Sequence, residues 1–309
     1  MTRVFTFPGQ GSQAVGMGKA LSETSPAAKA VFQEVDEALG EKLSDVIWNG
    51  PLDALTLTSN TQPALMAVSL AAIAAMAEAG IGVSDSASFV AGHSLGEYSA
   101  LAAAGSLSIA DAAKLLRIRG DAMQSAVPVG QGAMAAILGL ELEQVEALVK
   151  DASEAGVCDV ANDNAPGQVV VSGSKEAVEK AAELAKGLGA RRALMLPVSA
   201  PFHCSLMQPA ADRMAEALQG TAFKAPVVPL IANVLATPIS DPVAIKGHLV
   251  EQVTGRVRWR ESVVWLSENG VTDALEIGAG KVLAGLIKRI APGISAQSIG
   301  KPEDIQALV

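Results

Sequence analysis

Short apolar runs alternate with longer stretches of mixed apolar and polar positions along most of this chain, a pattern of strands alternating with helices. Residues 4–7 predict a first strand, ending at the turn-rich Pro8-Gly9-Gln10-Gly11-Ser12-Gln13. Helical spacing follows over about 27–39 and 63–79, the second with Pro63 in its first turn, where a missing N–H is harmless. A strand at 89–91 precedes helices near 97–104 and 109–126. This alternation predicts an α/β fold whose mainly parallel sheet is covered by helices on both faces.

Between about residues 130 and 199 the rhythm changes. Residues 133–138 read as a strand and 142–154 as a helix; 157–162 and 169–172 read as strands separated by Asp163-Asn164-Ala165-Pro166-Gly167. A helix over 175–187 and a strand over 192–196 complete a β-α-β-β-α-β order, the ferredoxin-like arrangement. Val127-Pro128-Val129-Gly130 and Val198-Ser199-Ala200-Pro201 mark the crossings. The expected organisation is a hydrolase-like catalytic subdomain from 1–128 and 200–309, with a ferredoxin-like subdomain at 129–199 inserted into it. A cleft between them favours ligand binding. The alternative is one continuous α/β domain.

Gly92-His93-Ser94-Leu95-Gly96 reads G-x-S-x-G between a predicted strand and a predicted helix, the setting of a nucleophile elbow. In a chain with 29 glycines the five letters alone are weak, and the strand and helix supply the specificity. The glycines are expected to leave room for the bend, with Ser94 Oγ and the Leu95 N–H facing one space. A serine needs a base, and the chain has three histidines. His93 is expected to be a packing or hydrogen-bonding residue behind the elbow, and His248, in the amphipathic 243–253, a helix-surface residue. His203 follows the last strand of the insert at the cleft edge and is the expected base; Cys204 beside it is expected to pack. No histidine follows His248 and no acid stands ready to orient His203, which departs from the Ser–Asp/Glu–His order of α/β-hydrolases. A Ser–His dyad oriented by a carbonyl suffices chemically.

Composition narrows the class. Half the residues are hydrophobic (50%) and only 18% charged, which suits a cytoplasmic α/β enzyme with a large core. The charge-free apolar run 64–77 is too short to span a bilayer, and Pro8 and Gly9 interrupt any signal-peptide core, so no membrane association is expected. Cys158 and Cys204 suit a reducing compartment and lack metal-ligand spacing, so no metal is expected. A net charge of −9 argues against nucleic acid. An anionic substrate then requires a local basic patch, from Arg117/Arg119, Arg191/Arg192, Arg256/Arg258/Arg260 or Lys288/Arg289, most of which are expected to be solvated.

Pro8-Gly9-Gln10-Gly11-Ser12-Gln13, Thr61-Gln62-Pro63-Ala64, the serine motif continued by Glu97-Tyr98, Arg119-Gly120, Pro201-Phe202-His203 and Glu276-Ile277-Gly278-Ala279-Gly280-Lys281-Val282-Leu283 occur in this order. In these motifs, and over nearly its full length, the chain resembles the malonyl-CoA:acyl carrier protein transacylases, acyltransferases of bacterial fatty-acid synthesis. The resemblance implies Ser94 as acylated nucleophile, His203 as general base, and the backbone N–H groups of Gln10 and Leu95 as oxyanion hole. It implies Arg119 as partner of the malonyl carboxylate, Gln252 as the residue whose carbonyl orients the histidine, Phe202 as a bar to methyl-branched acyl groups, and Asn162 as a neighbour of the CoA cleft. The implied substrates are malonyl-CoA and phosphopantetheinylated acyl carrier protein, with no cofactor. A malonyl acyltransferase of polyketide synthesis, a serine thioesterase or esterase, and a non-catalytic carrier-binding module are the alternatives. Arg119 and the missing late histidine count against the thioesterase, and the Ser94–His203 pair against the binding module.

Overall fold

A computed structural model describes residues 2–309. Its ten strands in chain order are β1 (Arg3–Phe7), β2 (Phe89–Gly92), β3 (Gly132–Leu138), β4 (Cys158–Ala165), β5 (Gln168–Ser174), β6 (Arg192–Met195), β7 (Leu230–Ile231), β8 (Pro238–Ile239), β9 (Asp273–Ile277) and β10 (Ser295–Ile299). They form a six-stranded sheet, β10-β9-β1-β2-β7-β8, and a separate four-stranded sheet, β4-β5-β3-β6. The larger sheet is parallel except at its edge, where β8 returns antiparallel to β7. The smaller one is antiparallel throughout.

Side-chain alternation explains why the parallel strands need cover on both faces. In β1, Val4 enters one apolar cluster and Phe5 and Phe7 the other; in β9, Ala274 and the pair Leu275 and Ile277 divide the same way. One cluster is filled by helices Pro26–Leu39, Thr58–Glu78 and Ile109–Ser125, the other by Trp259–Glu268 and Val282–Ile290. A third cluster lies between the antiparallel sheet and helices Leu142–Ala152 and Lys175–Gly187.

Three local expectations change. The second core helix starts at Thr58, so Pro63 lies inside it rather than in its first turn. The extra turn is held by the N–H groups of Asn60 and Thr61 on Leu57 O, and by packing so close that a Cβ on Gly120 would lie 2.5 Å from Ser59 Cα. At 21 residues this helix is long and apolar enough to cross a membrane by length and composition; burial of 78% of its most apolar window marks it as a core helix. Burial, not shortness, is therefore the relevant property. Finally, β4 runs through Asp163 and Asn164 to Ala165, leaving only Pro166 and Gly167 as the turn. Two of the added residues pair with β5, Asp163 with Val169 and Ala165 with Gln168. The strand is also held from outside the sheet, where the Asp163 N–H bonds Val257 O and the Val257 N–H bonds Ala161 O. That seam joins the antiparallel sheet to the rest of the protein.

Candidate active site

Loops following the adjacent parallel strands β1, β2 and β7 converge at their carboxyl ends, the favoured ligand position in an open α/β sheet. They carry Gln10, Ser94 and Asn233. Ser94 takes the bend itself, with φ of 53° in the left-handed region. Neither Gly92 nor Gly96 has positive φ; their role is close approach. A Cβ on Gly92 would lie 2.0 Å from Gly96 C, and one on Gly96 2.2 Å from Phe7 O. Asn233 fixes the turn, its Oδ1 accepting the Ser94 N–H at 2.8 Å and its Nδ2 donating to Gly92 O at 2.6 Å.

His203 is brought to Ser94, with Oγ and Nε2 2.7 Å apart. Its Nδ1 faces two carbonyls, Gln252 O at 2.9 Å and Gly255 O at 3.2 Å. Carbonyls only accept, so Nδ1 carries the proton and Nε2 offers its lone pair to the Ser94 hydroxyl. Burial, and then the charge of Arg119, pushes the His203 pKa down to about 3, which keeps the ring neutral. Like Ser94, His203 has a left-handed backbone, φ 58°.

Arg119 is buried (1% exposed), unlike its neighbour Arg117, which pairs with Glu41 and Asn60. Its NH1 donates to Gln62 Oε1 at 2.7 Å; NH2 donates to Gln252 Oε1 at 2.7 Å and to Ser94 Oγ at 3.2 Å. Nε has no acceptor, and among the described residues no carboxylate forms an ion pair with this guanidinium. Burial lowers its pKa, while Tyr98 and Glu97 oppose that shift. A buried cation with open donors beside a nucleophilic hydroxyl is built to receive an anion.

Gln252 joins these groups. Besides its main-chain bond to His203 and its side-chain bond to Arg119, its Nε2 donates to Ser94 O at 2.9 Å and to Glu97 Oε2 at 2.6 Å. Glu97 Oε1 accepts the Asn233 N–H at 3.1 Å. The N–H groups of Gln10 and Leu95 meet no acceptor among the described residues, and both residues line the cavity containing Ser94. That cavity, about 360 Å³, is also walled by Phe202 and Asn162, so all eight expected site residues except Gln252 line it, and Gln252 stands directly behind.

His93 differs from expectation in place. It lines the cavity wall, its Nε2 donating to Asn164 Oδ1 at 2.8 Å and its ring 5.8 Å from Trp259. Gly9 packs against it in this position, where a Cβ would lie 2.7 Å from His93 O and 3.1 Å from His93 Nδ1. His248 sits on its helix beside Glu251. Cys204 is buried, its thiol donating to Pro201 O and its pKa pushed up to about 11, so it stays protonated. Sequence reasoning gave no role to Asn233, Gln62, Glu97 or Gly255. Gln62 and Glu97 stood inside quoted motifs, whereas Asn233 carried no local signal.

Burial raises the Glu97 pKa to about 7 from an ordinary 4.5. The native state then keeps a proton that the unfolded chain releases first, so stability falls as pH rises through that window, by about 3 kcal/mol. Glu97→Gln removes this slope. Denaturant midpoints measured across the window should decline with pH in the wild type and flatten in the variant.

Of the basic groups, Arg256, Arg258 and Arg260 are spent on Glu146, Glu261 and Asp163. Arg191, Arg192 and Arg289 line one surface concavity with Leu138, Gly167 and Gln168, so one expected pair and one member of another, far apart in sequence, share a face.

The acyl transferase domain family model matches residues 4–301. A solved acyl-carrier-protein S-malonyltransferase from Bartonella henselae is 58% identical, with a TM-score of 0.98, covering 100% of this chain and 98% of that one. A malonyl CoA-acyl carrier protein transacylase of Bacillus subtilis (strain 168) is 48% identical over 306 residues, 99% of this chain and 95% of the relative. A malonyl-transacylase solved in complex with a type II PKS acyl-carrier protein is 42% identical, with a TM-score of 0.96, covering 99% of this chain and 98% of that one.

Proposed function

The chain belongs to the acyl transferase domain family, and on that premise we propose that it moves a malonyl group from malonyl-CoA to the phosphopantetheine thiol of holo acyl carrier protein. The observation that carries this reading is Arg119, a buried cation without an ion-pair partner among the described residues that donates to the nucleophile's hydroxyl. A neutral acyl group gives it nothing to bind, whereas the free carboxylate of malonyl answers it.

Ser94 Oγ attacks the thioester carbonyl as its proton passes to His203 Nε2. The Gln10 and Leu95 N–H groups hold the oxyanion, each worth about 3 kcal/mol. The C–S bond breaks, the proton passes from His203 to the departing CoA sulfur, and the malonyl ester remains on Ser94. The carrier thiol then repeats the sequence in reverse, its proton going to His203 and returning to Ser94. Gln252 O keeps the imidazole in the tautomer this requires, Phe202 crowds a methyl branch on the acyl carbon, and Asn162 borders the CoA path. Acyl exchange needs a nucleophile, a base and an oxyanion site, and we assign no metal or redox cofactor. We read the larger sheet and its helices, 1–128 and 200–309, as a hydrolase-like catalytic subdomain and 129–199 as a ferredoxin-like insert, in a cytoplasmic enzyme supplying fatty-acid elongation. The relative bound to a type II PKS carrier favours polyketide supply as the second reading. Steady-state kinetics test the transfer: a ping-pong exchange gives parallel double-reciprocal lines for malonyl-CoA and carrier. Comparing carriers from the two pathways decides between the readings.

We place the acidic carrier on the concavity of Arg191, Arg192 and Arg289. Leu196, four residues beyond Arg192, lines the active cavity, a separation of about 13 Å along extended chain, which a phosphopantetheine arm can bridge. Reversing both Arg191 and Arg289 to glutamate should raise KM for the carrier about tenfold and leave Ser94 acylation by malonyl-CoA unchanged. Separate assays of the two half-reactions check this.

A further inference from the structure

We propose that Thr58 is a positioning residue that couples Arg119 to the oxyanion hole, so that an acyl group carrying a carboxylate helps to assemble the site that activates it; this rests on the transacylase reading above. Three hydrogen bonds run in one direction. Arg119 NH1 donates to Gln62 Oε1 at 2.7 Å, Gln62 Nε2 donates to Thr58 Oγ1 at 3.0 Å, and Thr58 Oγ1 donates to Gln10 Oε1 at 3.0 Å. A guanidinium can only donate, so its place at one end sets every later choice. The Gln62 carbonyl must face Arg119, its amide must then face Thr58, and the threonine's single proton is left for Gln10.

Arg119, Gln62 and Thr58 are all at least 98% buried, so no water competes for these bonds. Thr58 and Gln62 stand one turn apart on the helix Thr58–Glu78, a rigid support, while Arg119 stands on the neighbouring Ile109–Ser125. Gln10, by contrast, lies exposed in the glycine-containing loop after β1. Thr58 is the only hydrogen-bond partner of its side chain among the described residues. The loop that carries one oxyanion donor is therefore tied to the core through the same chain of bonds that holds the carboxylate-binding arginine. A carboxylate seated on Arg119 fixes the guanidinium, and with it the Gln62 amide, the Thr58 hydroxyl and the Gln10 backbone. Selectivity then appears in the chemical step as well as in binding.

Two substitutions at Thr58 separate the relay from packing. Thr58→Val keeps the shape and removes the hydroxyl; Thr58→Ser keeps the hydroxyl and removes the methyl. Single-turnover acylation of Ser94 by malonyl-CoA should slow about tenfold in Thr58→Val, with half-saturation within about twofold of wild type. Thr58→Ser should restore most of the rate. In an Arg119→Ala background the valine penalty should shrink toward unity, the mark of a coupled pair. Should Thr58→Val unfold on a thermal melt, Gln10→Ala enters the same cycle, since it removes the last acceptor but keeps the backbone N–H; the same losses are expected. A wild-type rate in Thr58→Val, a Thr58→Ser as slow as the valine variant, or an undiminished penalty without Arg119 would overturn the relay. A wild-type enzyme that forms no malonyl-Ser94 would instead refute the transacylase reading.

Discussion

Replacing His203 with alanine slows acylation of Ser94 by about 10³- to 10⁴-fold, the scale of losing a general base from a serine nucleophile. The magnitude follows from geometry. Nε2 lies 2.7 Å from Ser94 Oγ, and the ring's orientation is settled by two carbonyls on Nδ1. Among the described residues no carboxylate bonds the ring, so the base gains no ion-pair stabilisation when it is protonated. Burial and the charge of Arg119 instead hold its pKa to about 3. The sign is that of a depressed base, with the active neutral form present above that value and lost only as pH falls through it. Rapid-quench acylation rates for wild type and variant measure the loss. ¹⁵N resonances of His203 should report the neutral Nδ1–H tautomer from about pH 8 to about pH 5. Titration of His203 near its ordinary 6.5 would contradict this account of the site.

Replacing Arg119 with alanine removes the preference for a free carboxylate. Charge-assisted hydrogen bonds contribute about 1.5–3 kcal/mol each, so a two-point contact corresponds to a loss of about 10²- to 10⁴-fold in kcat/KM for malonyl-CoA. Acetyl-CoA lacks that contact and gains from removal of a buried charge it leaves unanswered, so the malonyl-to-acetyl ratio should collapse toward unity. Competition between the two thioesters, read as acyl-enzyme mass, gives the ratio directly. Retained selectivity would move carboxylate recognition elsewhere. The loss should also exceed that from Arg117→Ala, because Arg117 is spent on Glu41 and Asn60.

The elbow was legible because its chemistry is local: a strand, five residues and a helix in sequence. The physical reason was less so. Gly92 and Gly96 are glycines because backbone passes within a Cβ's reach of them, and Ser94 carries the strained φ. The antiparallel unit was legible for the same local reason, since its order of elements emerges from apolar periodicity alone. Its hairpin was misplaced because Asp163 and Asn164 look like turn residues, yet one bonds across the seam to Val257 and the other holds His93. Pro63 misled similarly, as tertiary packing against Gly120 outweighs a proline's preference for a helix start. What stayed hidden is the polar scaffold. Asn233 reaches the elbow from 139 residues away, and Gln252 reaches Ser94 from 158 away; no pattern near either residue marks the contact.

Acyl transfer through Ser94 is the central claim, and intact-protein mass after brief mixing with malonyl-CoA tests it most directly. The account predicts one malonyl adduct on the wild type, none on Ser94→Ala, little with acetyl-CoA, and loss of the adduct when holo acyl carrier protein is added. An adduct that persists on Ser94→Ala, or a wild type that releases no CoA and gains no mass, would contradict it.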